Sequence, residues 1–188
     1  MKLQKITTTL ALVCISTMLF AQNTTSEKYG QTANIGVGLG YYGYLNSSIP
    51  VFNLNYEFDV APNFTLASFI GVFSHSNKYY WGNNNTPYRY YTYRETVIPI
   101  GVKGMYYFDD LIKANSKWDT YLGGSLGFAL VNSHWEEGYN GDKNYYRGPR
   151  PIVLDIHLGA EYHINNRVGL ILDLSSGVSS VGIAIHSK

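Results

Sequence analysis

The sequence predicts an all-β chain, an antiparallel up-and-down barrel of about eight strands. Three observations carry that prediction. Apolar residues recur at every second position through most of the chain after residue 33, with no stretch at helical spacing. The composition joins 19 Gly and 18 Tyr to only 14% charged residues, which suits sheets bordered by aromatic belts. The alternating segments run to about ten residues, longer than the five or six usual in soluble strands and close to what a tilted strand needs to cross a bilayer.

The first segment is Asn34–Tyr44, with Ile35, Val37, Leu39 and Tyr41 on one face and glycines on the other. In the second, Val51–Val60, Phe52, Leu54, Tyr56 and Phe58 alternate with Asn53, Asn55, Glu57 and Asp59. The tripeptide "APN" makes a tight turn into the third, Phe64–His75. The fourth is Glu95–Phe108, where Pro99 cannot donate to a ladder and predicts a bulge. Trp118–Asn132 is the fifth. In the sixth, Pro151–Ile164, Ile152, Leu154, Ile156, Leu158, Ala160, Tyr162 and Ile164 oppose Asp155, His157, Gly159, Glu161 and His163. "NN" turns into Arg167–Ser175, and "SSG" turns into Val178–His186. The stretches 77–94 and 133–149 read as long, polar, tyrosine-rich loops.

The two faces can be arranged in two ways. A soluble lipocalin-like binder would turn the oily face inward and show water a surface of Gly, Ser and Asn, which is a poor solvent face. A membrane barrel would turn the oily rows to lipid and the polar rows to the lumen. The lumen of an eight-stranded barrel is just wide enough for side chains to fill. Glu57, Lys103, Asp155, His157, Glu161, Arg167 and Asp173 would then form an internal charge network, because isolated buried ions are very costly. No charge interrupts the middle of an oily face, where it would cost roughly 2–4 kcal/mol.

The N-terminus has the pattern of a secretory signal peptide. "MKLQK" supplies charge, "ITTTLALVCISTMLF" an apolar core, and cleavage is expected after Ala21. Residues 22–33 make a short polar leader and 34–188 the barrel domain. Cys14 is the only cysteine and lies in the signal peptide; Val13 before it departs from a lipoprotein signal. The mature chain therefore has no disulfide framework and no thiolate chemistry. Its near-neutral charge gives no ground for nucleic-acid binding.

With export and bilayer-length strands in place, the chain resembles the small outer-membrane barrels of the OmpA/OmpX/OmpW type, in the style of Bacteroidetes. The residues behind this are the leader "MLFAQ", "ANIGVGLGYYGY", "LGAEYHI", "NNRVGLILDLSSG" and "VGIAIHSK". The resemblance implies a cell outer-membrane location in a Gram-negative envelope. It also implies contact with lipid and lipopolysaccharide and handling by the barrel-insertion machinery. The family's last strand usually ends in an aromatic residue, and this chain departs from that with His186-Ser187-Lys188.

Chemistry is sparse. Tyr79, Tyr80, Trp81, Tyr88, Tyr90, Tyr91 and Tyr93 read as an extracellular aromatic loop, either belt and loop packing or a surface for a glycan or protein. Glu136, Glu137 and Asp142 lack the ligand spacing of a calcium loop. Asp155, His157, Glu161 and His163 are read as part of the interior network, so no metal, cofactor or catalytic site is expected. The preferred role is non-enzymatic: structural, adhesive or small-solute. Two alternatives stay open, a lipid-modifying barrel enzyme using Ser133 and His134 and the secreted lipocalin-like binder.

Overall fold

The alternating rows close into one continuous sheet. A computed structural model describes residues 31–40, 49–144 and 151–187. The signal peptide, Cys14, most of the leader and the end of the predicted 133–149 loop lie outside the described residues. The strands are β1 (Thr32–Gly40), β2 (Ile49–Ala61), β3 (Phe64–Asn83), β4 (Thr86–Tyr107), β5 (Trp118–Trp135), β6 (Ile152–Asn165), β7 (Val168–Ser175) and β8 (Val178–His186). Each pairs antiparallel with its sequence neighbour, and β1 pairs with β8, so the barrel is closed. A four-residue helix, α1 (Asp109–Ile112), interrupts the β4–β5 connection. No helix among the described residues is long and apolar enough to cross a membrane.

The oily rows face outward. Leu154 is 75% exposed and Ile156 69%, and Ile35, Val37, Phe52, Leu54, Leu126, Leu170 and Val181 are likewise exposed. On the opposite face Glu57, Lys103, Glu161 and Asp173 are buried. This is the reverse of a lipocalin-like binder, whose apolar face would be inside.

The turns follow from their residues. Asn63 takes φ 59° after β2, a left-handed conformation that Asn tolerates better than most residues. Asn165 Oδ1 accepts the backbone N–H groups of Arg167 (2.8 Å) and Val168 (3.0 Å), closing the turn after β6. Both turns, α1, Thr32 and His186 lie at one end, called the lower end here.

Two expectations need correction. Pro99 makes no bulge: Ile70↔Ile100 and Phe73↔Val97 share one register, and Pro99 sits opposite Ala129 in an unshifted β4–β5 ladder. Its ring points inward over Gly71, where an added Cβ would come within 3.1 Å of Pro99 Cγ. The missing side chain on β3 makes room for the proline. The register instead shifts near the hairpin tip, between Trp81 and Asn83. The second correction is that 77–94 is not a loop. β3 and β4 continue through it as a paired ladder from His75↔Glu95 to Trp81↔Arg89. Tyrosine and threonine at alternate positions are good strand formers, and they outweigh the asparagines and Pro87 that suggested a loop.

Candidate functional site

The interior is layered, and the layers can be followed up β3 and β4. At the lower mouth His163 and Asp119 meet, with Nε2 2.7 Å from Oδ2. His186 Nε2 lies 2.7 Å from Glu161 Oε1, and His163 Nδ1 lies 3.6 Å from the same oxygen. Thr32 Oγ1 is 2.9 Å from His186 Nδ1. Asp119, His163 and His186 border an open vestibule of about 850 Å³ that is also lined by Asp109, Asp110 and Lys117.

Above it, Glu57 is held by neutral donors. Thr65 Oγ1 donates at 2.6 Å, Tyr107 OH at 2.5 Å and Asn34 Nδ2 at 3.3 Å. Met105, Ala67, Tyr107 and Tyr121 pack as a small apolar cluster. Tyr121 lies against Gly159 of β6, where a Cβ would overlap its ring.

The next layer is the ion network. Lys103 Nζ pairs with Asp173 Oδ2, and Tyr121 OH donates to the same oxygen at 2.9 Å. His157 bridges Asp173 Oδ1 (2.9 Å) and Ser125 Oγ (3.0 Å). Lys103 also lies 4.7 Å from the Tyr121 ring centroid. A buried pair of this kind survives because further hydrogen bonds satisfy both partners. Over it sits a cavity of about 50 Å³, with room for a few waters. Ile49, Val51, Phe73 and Val97 then close the upper lumen as an apolar plug, packed against Ala129 and Val178.

Beyond the plug the outward face changes character at one register. Val72, Ile98 and Leu130 are aligned across β3, β4 and β5; two residues higher the aligned positions are Ser74, Thr96 and Asn132. Above that line the inward positions turn aromatic. Tyr91, Tyr93, Trp135 and Tyr139 form a buried cluster with Tyr79 and Trp81 packed against it. Trp135 stacks on Tyr139 at 4.0 Å between centroids, and Tyr139 meets Trp81 and Tyr91 edge-on at 5.3 Å each. Outside, Tyr80, Tyr88 and Tyr90 form an exposed row, with the Tyr80 ring 5.0 Å from Tyr90 and 5.8 Å from Tyr88.

A clasp joins this protruding sheet to the segment after β5. Glu136 accepts the Thr92 N–H at 2.9 Å and donates its own N–H to Thr92 O at 2.8 Å. The Thr92 backbone and side-chain donors hold the Glu136 carboxyl below the usual range, with help from the Arg89 guanidinium 3.6 Å away. Arg89 also donates to Glu137 O and covers the Tyr91 ring at 4.4 Å.

Of the residues assigned to the lumen from sequence, Glu57, Lys103, His157, Glu161 and Asp173 lie in these layers. Asp155 sits near the upper turn, accepting from Ser176 Oγ at 3.3 Å. Arg167 does not reach the lumen. It is exposed in the β6–β7 turn, where the Asn165 cap fixes its backbone. The seven predicted loop aromatics lie on paired strands, and alternation divides them: Tyr79, Trp81, Tyr91 and Tyr93 inward, Tyr80, Tyr88 and Tyr90 outward. They therefore sit above the polar line. At the lower end the outward Trp118 and Tyr162 rings meet at 4.9 Å. Ser133 and His134 project to opposite faces of β5 and form no pair. Thr65, Tyr107, Tyr121, Asp119 and His186 were missed. Each shares the inward parity of its strand, which is the signal that could have found them.

A closed eight-strand antiparallel barrel with apolar outside and polar inside has the architecture of the small outer-membrane β-barrels. Among solved structures, Neisserial surface protein A is similar over 82% of this chain and 94% of its own, at 14% identity and a TM-score of 0.51. The attachment invasion locus protein Ail of Yersinia pestis, in complex with the heparin analogue sucrose octasulfate, covers 83% of this chain and 98% of its own, at 12% identity and a TM-score of 0.44. A de novo designed transmembrane β-barrel covers 85% and 98%, at 14% identity and a TM-score of 0.46. No protein-family model matches the sequence. No curated protein matches it either. The likeness to the Neisserial protein is one of fold.

Proposed function

We propose that the protein is a non-catalytic integral protein of a bacterial outer membrane that offers its protruding β3–β4–β5 sheet as a surface-contact element. The single observation behind this is the aligned change from Val72, Ile98 and Leu130 to Ser74, Thr96 and Asn132 on strands that continue upward. A lipid-to-water boundary accounts for it directly, since an apolar outward row is favourable only against hydrocarbon. The sheet above the boundary has its own packed aromatic interior, so it can present Tyr80, Tyr88 and Tyr90 on a stiff support. Tyrosine rows of this kind suit stacking on a glycan or a protein surface.

A wide pore does not fit a lumen filled by the Lys103–Asp173–His157 network and closed by an apolar plug. Lipid-modifying catalysis lacks support because Ser133 and His134 point apart.

Cell fractionation with a gel run before and after boiling tests the membrane reading. The chain is expected in the outer-membrane fraction, resisting SDS until boiled; a chain in the aqueous fraction that unfolds in SDS without heat overturns it. The contact reading is tested with cells carrying the Y80S/Y88S/Y90S triple variant. Adherence to immobilised glycans and matrix proteins should fall to the level of cells lacking the protein, and unchanged adherence would sink it.

A further inference from the structure

We infer that the lower mouth of the barrel is a binding site for one divalent metal ion of the zinc class, with Glu161, His163 and His186 as ligands. This stands apart from the surface-contact reading, which concerns the other end of the molecule. Two imidazoles and one carboxylate are a recurrent zinc donor set that leaves a fourth position open.

The strands explain why these three meet. Glu161 and His163 are two apart on β6 and so share the inward face, while His186 comes from β8. The strand between them, β7, carries Gly169 at the crossing, opposite both His163 and Ala184. A Cβ on Gly169 would overlap the Glu161 carboxylate, so its absence lets side chains from β6 and β8 touch across β7.

The three ligand atoms all lie within 4.8 Å of one another. Tetrahedral ligands at zinc bond lengths stand about 3.3 Å apart. The observed His186–Glu161 and His163–Glu161 separations, 2.7 and 3.6 Å, bracket that value. Binding therefore asks for a small opening of the His186–Glu161 pair, a slight closing of the His163–Glu161 pair, and approach of the two imidazoles from a separation of no more than 4.8 Å.

The surroundings point the same way. A metal-bound histidine usually has its second nitrogen held by a carboxylate or hydroxyl. Asp119 holds His163 Nε2 at 2.7 Å, leaving Nδ1 turned to Glu161. Thr32 holds His186 Nδ1 at 2.9 Å, leaving Nε2 turned to Glu161. Each ring is thus oriented with one nitrogen toward the shared centre. With neutral imidazoles, Glu161 and Asp119 together carry the two negative charges that a divalent cation balances. The vestibule supplies the entry path and space for a fourth ligand. A second carboxylate–histidine group, Asp173 with His157, already holds the ammonium of Lys103, which would repel a cation.

The test uses the full chain, free of any polyhistidine tag and folded in detergent micelles. Zinc is titrated against a competing chromophoric chelator, and cobalt is added separately to read coordination from its visible absorption. Wild-type protein is expected to take up one equivalent, with the intense visible bands of four- or five-coordinate cobalt. H163A, H186A and E161Q should each lose the stoichiometric site. D119N should weaken it about 10–100-fold while keeping the cobalt bands, as a positioning residue does. Absence of stoichiometric binding by the wild-type barrel overturns the inference, as does equal binding by the ligand variants. Boiled and unboiled gel lanes establish that each variant is folded. Should one fail to fold, the wild-type cobalt spectrum still decides: only the weak bands of a six-coordinate hydrated ion would reject the site.

Discussion

The barrel body and the protruding sheet are built from the same strands with opposite interiors. Below the Val72–Ile98–Leu130 line, the inward side holds Glu57 and the Lys103–Asp173–His157 network between two small apolar clusters, and the outward side is apolar. Above it, the inward side holds Trp81, Tyr91, Trp135 and Tyr139, while Ser76, Lys78, Arg94 and His134 take the outward positions. Alternation does not break across the line; the outward face turns from apolar to polar and tyrosine-bearing, and the inward face from an ion network to packed aromatics. The lesson is that a β-strand's period sets which residues share a face, and the surrounding medium decides which face is oily.

The comparison can be broken most severely in the body. Replacing Lys103 by Ala leaves the buried Asp173 without its cation, which typically costs about 3–5 kcal/mol. Urea unfolding in lipid vesicles would read the loss. The K103M/D173L double variant should recover most of it, and a double variant as unstable as K103A would show that the pair is not what matters. Next in size, an outward arginine at Leu154 should cost roughly 2–4 kcal/mol, the price of a cation at mid-bilayer. The same residue at Ser76, above the line, should change stability by less than about 0.5 kcal/mol, as surface substitutions usually do. Equal costs at the two positions would abolish the boundary.

Smaller effects are expected in the upper sheet. Trp135→Leu keeps an apolar side chain but removes the ring stacked on Tyr139, worth about 0.5–1.5 kcal/mol. Hydrogen exchange should quicken between Tyr88 and Tyr93 while SDS resistance of the body is unchanged. The smallest is a pH effect at the Glu136 clasp. The Glu136 carboxyl is held below its ordinary value by the Thr92 N–H. Its contribution is therefore present above the ordinary glutamate range and is lost as pH falls through the lowered value. Protection of the Thr92 amide, taken relative to its intrinsic exchange rate at each pH, should fall on acidification below about pH 4, and Glu136→Gln should remove that change in protection.

Much of the body was legible in the sequence. The eighth strand, Val178–His186, has the bounds that alternation gives, and β2, β6 and β7 differ by a residue or two. The oily rows were assigned to the right side because a face of Gly, Ser and Asn makes a poor water surface. What could not be read was partnership. His186 meets Glu161 only because β8, β7 and β6 lie side by side with a glycine between, a fact of register and not of local pattern. Tyr107 and Tyr121 look like ordinary outward aromatics until parity places them inside. The upper sheet was read as loop because Asn, Gly and Pro87 cluster near its tip, yet cross-strand aromatic contacts extend pairing as far as that tip.

The unbroken run of β3 and β4 from lower turn to tip has a mechanical consequence. From Ser74 to Asn83 the hairpin adds about 30 Å of strand at ordinary rise. A pull applied at its end runs along the strand axes, loading many ladder bonds side by side instead of peeling them singly. Under the proposed surface-contact role, a flexible tip would stretch first, whereas this hairpin would pass the load straight to the barrel wall.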